Sequence, residues 1–186
     1  GLDDKNTIVY SDYSCIDASG RPVGGSGEPP FPRDNCLYSF LSSSVHGCAM
    51  LIPKAAFDHC GLFNTSLITV QDYDLWFRML RVFPFRYLPG TLVKSRLHPG
   101  QDSRRKSDLV IKECNRFWVE AIAGLPDGIV LREECNKYVF YRKLAAFYAR
   151  SRFGDVFRFC RKAAARELRM LPELLKTRKV SVLVET

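Results

Sequence analysis

Gln71, Asp72 and Asp74 lie within four residues of one another, in a stretch where a carboxylate could accept a proton. They open the second half of Leu67–Leu80, Leu-Ile-Thr-Val-Gln-Asp-Tyr-Asp-Leu-Trp-Phe-Arg-Met-Leu. Behind them Tyr73, Trp76, Leu80 and Phe83 recur at helical spacing, and Leu75 and Met79 add a second apolar edge. The pattern predicts a short, deeply packed helix with Thr69 as N-cap, acids in its first turn and Pro84 as its stop. Two readings of the acids compete: they cap the helix and complement its dipole, or they present a base at its mouth. Asp72-Tyr73-Asp74 also has the spacing of a cation-binding D-x-D. On a helix, however, residues i and i+2 point about 200° apart, so the two carboxylates do not readily share one ion.

Two further stretches carry side chains of interest. Val45–Ile52 reads as a buried strand ended by Pro53, and Gly47 within it marks the close approach of a ligand or another strand. His46 beside it is either a satisfied structural histidine or a functional one. Farther on, Thr91–Leu97 reads as a strand that delivers Arg96 and His98 to the polar loop Pro99–Lys106. Arg and His at a strand end suit a diphosphate grip; the other reading is an ordinary solvated loop.

The elements that must position these groups follow from the pattern. Thr7–Tyr13 alternates like a strand and leads to a turn at Ile16–Gly20. Residues 20–35, dense in Gly and Pro, read as a long loop. Leu37–Leu41 reads as a short helix, and Lys54–Cys60 as a helical turn capped by Gly61. Phe85–Leu88 reads as a short strand closed by a Pro89-Gly90 turn. From Ser107 the chain reads as helical, over Asp108–Ala123, Leu131–Ser151 and Asp155–Leu171. No glycine-rich phosphate-binding pattern of the P-loop or dinucleotide kind is present.

Composition narrows the class. With 46% apolar and 12% aromatic residues, the 186 residues can bury a real core. No apolar run is long enough to span a membrane, and the opening residues do not read as a signal peptide. The seven cysteines form no C-x-x-C pair, which predicts reduced, mostly buried cytosolic thiols rather than a disulfide or zinc framework. The first hundred residues hold nine Lys/Arg and nine Asp/Glu, so the net +8 belongs entirely to the rest. There Arg158, Arg161, Lys162, Arg166 and Arg169 form a basic face. That face reads as a solvated surface, an anionic membrane contact or, least well because no recognisable module accompanies it, a nucleic-acid surface.

Taken together, His46–Pro53, Phe57–Asn64, Gln71–Arg78 and Arg96–His98 resemble the second half of a family-2 glycosyltransferase with the GT-A fold. The resemblance covers roughly residues 5–105. It implies an α/β, Rossmann-like partial GT-A domain over residues 1–106; the helical extension over 107–186 is read from the apolar pattern, not from the resemblance. It also implies inverting transfer of a sugar from a nucleotide-sugar donor to a glycan or lipid-linked acceptor, with Asp72 as general base. By the same resemblance Gly47, Gln71, Asp74, Arg96 and His98 contact substrate, and His98 also contacts a divalent metal (Mn or Mg). The main D-x-D ligands and the nucleotide-binding half are expected upstream of Gly1. Cell-surface glycan synthesis in bacteria is the implied setting; from the charge pattern, a cytoplasmic protein touching the inner membrane face through its basic helices, with no nucleic-acid partner, is expected. The rival expectation is a non-catalytic interaction domain that inherited the fold.

Overall fold

The computed structural model describes residues 5–25, 31–101 and 107–171. They form two compact units, one ending at Trp118 and the other beginning at Val119.

The first unit is built on β1, Ile8–Ile16. Ile8, Val9, Tyr10 and Ser11 are all buried, as expected of a strand covered on both faces. The sheet around it is mixed. β2 (Pro22–Gly25) pairs antiparallel with the end of β1, and β3 (Met50–Leu51) pairs antiparallel with Val9 and Tyr10. β4 (Phe85–Arg96) runs parallel to β1 along its whole length. The helices α1 (Cys36–Leu41), α2 (Lys54–Cys60) and α3 (Gln71–Leu80) fill the crossover between the parallel strands. Its core is aromatic. Phe40 meets Tyr10, Trp76 and Phe85 at ring-centroid distances of 6.2, 5.9 and 5.1 Å. Leu37, Leu41, Leu75 and Met79 close around them, all buried.

Several expectations are corrected here. Residues 20–35 are not loop throughout, because Pro22–Gly25 pairs with Ser14–Ile16. Proline is tolerated there as the first residue of a short strand. Val45–Ile52 is not one buried strand. Gly47–Ala49 makes a turn of 3-10 helix, only Met50–Leu51 is strand, and Leu51 is 71% exposed. Phe85–Leu88 and Thr91–Leu97 are not two strands about a turn but one bulged strand. Ser11 faces Leu88, yet Asp12 faces Thr91 and Tyr13 faces Val93, so β4 carries extra residues at that point. Pro89 lacks an N–H to donate and Gly90 takes φ +122°, which together let the strand bulge without ending. The cysteines are all free among the described residues, but only Cys160 is buried.

The second unit is helical. The helix Ser107–Ala123 (α4) begins in the first unit and enters the second, where α5 (Asp127–Glu133), α6 (Lys137–Tyr148) and α7 (Gly154–Met170) follow. Asn136 caps α6 through its side-chain oxygen, which accepts the Val139 N–H at 2.9 Å. Phe140, Leu144 and Tyr148 of α6 and Val156, Cys160 and Ala164 of α7 are buried, and burial pushes the Cys160 thiol up to about 12. No helix among the described residues is long and apolar enough to cross a membrane.

Candidate functional site

Helix α3 begins at Gln71 without the expected N-cap. Val70 occupies the cap position with no capping side chain, and Thr69 is otherwise engaged. The Thr69 amide and hydroxyl donate to Glu113 Oε2 at 2.5 and 2.6 Å, and the Ile68 amide donates to the same carboxylate at 3.0 Å. A side chain of α4, more than forty residues downstream, therefore holds the entrance to α3. Burial pushes the Glu113 carboxyl up, but these hydrogen bonds outweigh it and leave the group below the usual carboxylate range.

Asp72 sits in the first turn of α3, half-buried, with the Tyr73 amide donating to Oδ1 at 2.8 Å. Burial pushes its carboxyl above the ordinary range, against the hydrogen bonds of the helix mouth. Desolvation thus wins over the helix terminus, and the carboxylate is a stronger base than a solvated aspartate. Tyr73 anchors the same turn from behind. Its hydroxyl donates to the Val45 carbonyl at 3.1 Å, and its ring meets Trp76 and Trp118 edge-on.

Gly47 explains itself through packing. A Cβ built on it would lie 2.9 Å from Cζ2 and Cη2 of Trp76 and 3.9 Å from Asp72 Oδ2. The Trp76 indole makes a close approach at Gly47. The lack of a side chain brings the 46–48 backbone against the α3 mouth. His46 is drawn in with it. Its Nδ1 accepts the Cys48 N–H at 3.1 Å, which puts the proton of the neutral ring on Nε2, 3.5 Å from Ser95 Oγ. Its ring lies 4.6 Å from that of Tyr13. Tyr13 and Ser95 come from the C-terminal halves of parallel β1 and β4, the end of such sheets at which ligands usually bind. Tyr13 and Ser95 are thus neighbours of the site that sequence reading left out, while His46 was open between a structural and a functional role. The only signal was His46 itself, directly before Gly47.

The other anticipated residues lie in different surroundings. Gln71 keeps its side-chain oxygen buried with no hydrogen-bond partner among the described residues. Asp74 is paired with Arg78, whose Nε and Nη2 donate to Oδ2 at 3.1 and 2.8 Å. That guanidinium also donates to the Cys60 carbonyl and, at 2.9 Å, to the Leu62 carbonyl, tying α3 to the end of α2. Asp72 and Asp74 therefore face different partners. Arg96 is exposed and clamps the β1–β2 turn, donating through Nη1 to the Asp17 and Ala18 carbonyls at 2.7 and 2.8 Å. His98 is exposed just beyond β4. Residues 102–106 of the anticipated diphosphate-binding loop lie outside the described residues. Among the described residues no three His, Cys, Asp or Glu converge, and His98 is a single candidate ligand. The turn at Gly47–Ala49 also borders an apolar pocket of about 240 Å³, with Val9, Met50, Leu88 and Leu92 in its lining.

No protein-family profile matches the chain. It is 37% identical over 150 residues to a protein of Rickettsia felis named "uncharacterized glycosyltransferase", a match covering 78% of this chain and 25% of that one. A Rickettsia bellii protein of the same name is 30% identical over 187 residues, 98% of this chain and 26% of its own length. A third, from Rickettsia typhi, is 31% identical over 156 residues, 81% of this chain and 48% of its own. The chain thus corresponds to between a quarter and a half of rickettsial proteins named as glycosyltransferases.

Proposed function

We propose that these residues form the acceptor-side part of an inverting glycosyltransferase of the GT-A, family-2 kind, with Asp72 as its general base. The observation that carries this reading is the Asp72 carboxylate itself. It stands at a helix mouth on the C-terminal side of a parallel strand pair, half-buried and more basic than usual. The likeness to rickettsial proteins named as glycosyltransferases supports it.

In this reading Asp72 takes the proton of the acceptor hydroxyl while that oxygen forms its bond to the anomeric carbon of the donor sugar. The bond from that carbon to the nucleoside diphosphate breaks on the opposite face, and the configuration inverts. His46, with its proton on Nε2, orients the site beside Asp72, and Gly47 keeps the space over the α3 mouth small. The apolar pocket beyond Gly47 suits the hydrocarbon part of a lipid-linked acceptor. Gln71, whose side-chain oxygen has no hydrogen-bond partner among the described residues, is a candidate acceptor contact. Arg96 and His98 belong to the donor side. A divalent metal on the donor diphosphate is part of the proposal, with His98 as one ligand and the others outside these residues. A cytoplasmic setting and bacterial cell-surface glycan synthesis follow as proposals too.

A second reading, a non-catalytic domain of the same ancestry, draws on two observations. Asp74 is paired with Arg78, and Arg96 is engaged with the Asp17 and Ala18 carbonyls. Calorimetric titration of the complete protein with UDP and other nucleoside diphosphates, with and without manganese, separates the two. Metal-dependent binding supports the enzyme; silence across all nucleotides supports the interaction domain.

A further inference from the structure

The second unit carries a pocket that the transfer reaction does not use. Its volume is about 280 Å³, and it is lined by Ala123, Tyr141, Phe159, Lys162, Ala163 and Arg166. The composition is two-tiered. Tyr141 and Ala163 are buried and Phe159 is half-buried, which makes an apolar floor. Lys162 and Arg166 stand one helical turn apart on α7, both exposed, and supply a cationic rim. Arg166 shares its charge with Glu167 at 3.2 Å in an exposed contact worth little, while Lys162 makes no ion pair among the described residues. Arg158, Arg161 and Arg169 are exposed on the same side of the helix, so the five cations span about 140° of its circumference at ~100° per residue. Asp155, paired with Arg158, and Glu167 are the acids on this helix.

We propose that this pocket binds the headgroup of an anionic phospholipid at a bilayer surface, with Lys162 and Arg166 on the phosphate and the first carbons of the lipid over Tyr141 and Phe159. Charge complementarity argues for it, since all of the chain's net positive charge lies beyond residue 100. The apolar floor directly beneath two cations distinguishes an amphiphile from a purely polyanionic partner. The volume falls just below the ~300–1,000 Å³ of typical ligand sites, which fits one headgroup rather than a whole lipid. The inference does not rest on the role of Asp72, because vesicle binding is read without catalysis.

The test is flotation of the full chain with phosphatidylcholine vesicles, with and without phosphatidylglycerol. Binding is expected only to the anionic vesicles. The double variant Lys162→Ala/Arg166→Ala is expected to bind about thirtyfold more weakly, from about fivefold per cation at an anionic surface. Both positions are exposed, so circular dichroism is expected to show an intact fold. The control Arg150→Ala/Arg152→Ala removes the same charge from two exposed sites outside the pocket and is expected to lose much less. Equal losses in the two double variants would overturn the pocket in favour of net charge alone. Equal binding to neutral vesicles, release by inorganic phosphate, or binding to a single-stranded RNA without binding to vesicles would overturn it as well.

Discussion

Replacing Gly47 with alanine tests whether the α3 mouth is packed as closely as the geometry says. The new Cβ would fall 2.9 Å from two indole carbons, against a lower limit for ordinary contact of 3.4 Å, so one side must withdraw by about half an ångström. Trp76 is poorly placed to do so. It is 3% exposed, with Phe40 at 5.9 Å and Tyr73 at 5.0 Å on its flanks. Overpacking of this kind costs about 1–3 kcal/mol. Trp76→Phe removes the two carbons concerned and leaves a cavity that the alanine methyl partly fills. The double variant Gly47→Ala/Trp76→Phe should therefore be about 1–2 kcal/mol more stable than the sum of the single changes. Urea unfolding followed by tryptophan fluorescence measures this selectively, because both tryptophans, Trp76 and Trp118, lie in the first unit. Additivity of the two changes within about 0.5 kcal/mol would refute the contact.

Other perturbations follow from the same geometry. Asp72 has a raised pKa in the folded protein, so the fold holds its proton more tightly than the unfolded chain does. It therefore costs stability as pH rises from the unfolded value through the folded one, and that cost persists at neutral pH. Asp72→Asn should accordingly match or exceed the wild-type melting temperature at pH 7, with the difference vanishing at low pH. Glu113 has the opposite sign. Its lowered pKa contributes stability above the unfolded value that is lost as pH falls through the folded one. Glu113→Ala should cost about 1–3 kcal/mol near neutral pH in urea unfolding, and less in acid, because the amides of Ile68 and Thr69 lose a charged acceptor. Arg78→Lys should destabilise by about 1–3 kcal/mol in the same assay, because an ammonium cannot reach Asp74 and the carbonyls of Cys60 and Leu62 together.

The parts legible in the sequence were those fixed by local chemistry. The apolar spacing after Gln71 located α3, the run Leu37–Leu41 marked all but the first residue of α1, and Gly61 with φ +78° ended α2 as a glycine should. What sequence reading missed was decided by distant partners. Thr69 has the composition of a cap, but Glu113 captured it. Pro22–Gly25 has the composition of a loop, but the end of β1 offered it a ladder. Pro89-Gly90 has the composition of a turn, but parallel pairing with β1 continues on both sides and reduces it to a bulge. Gly47 did mark a close approach, yet the approaching group was Trp76, already counted as core. His46 stayed open between a structural and a functional role in the sequence because its significance depends on Tyr13, Ser95 and Asp72, which meet only in three dimensions.

The most direct test of the account is the pH dependence of sugar transfer by the complete protein, compared with its Asp72→Asn variant. A general base must be ionised, so wild-type activity should fall as pH drops through the raised Asp72 pKa. The variant should lose at least about a hundredfold in kcat, along with that acid limb, while it stays folded. An Asp72→Asn protein that transfers sugar at the wild-type rate, with the same pH profile, would contradict the account.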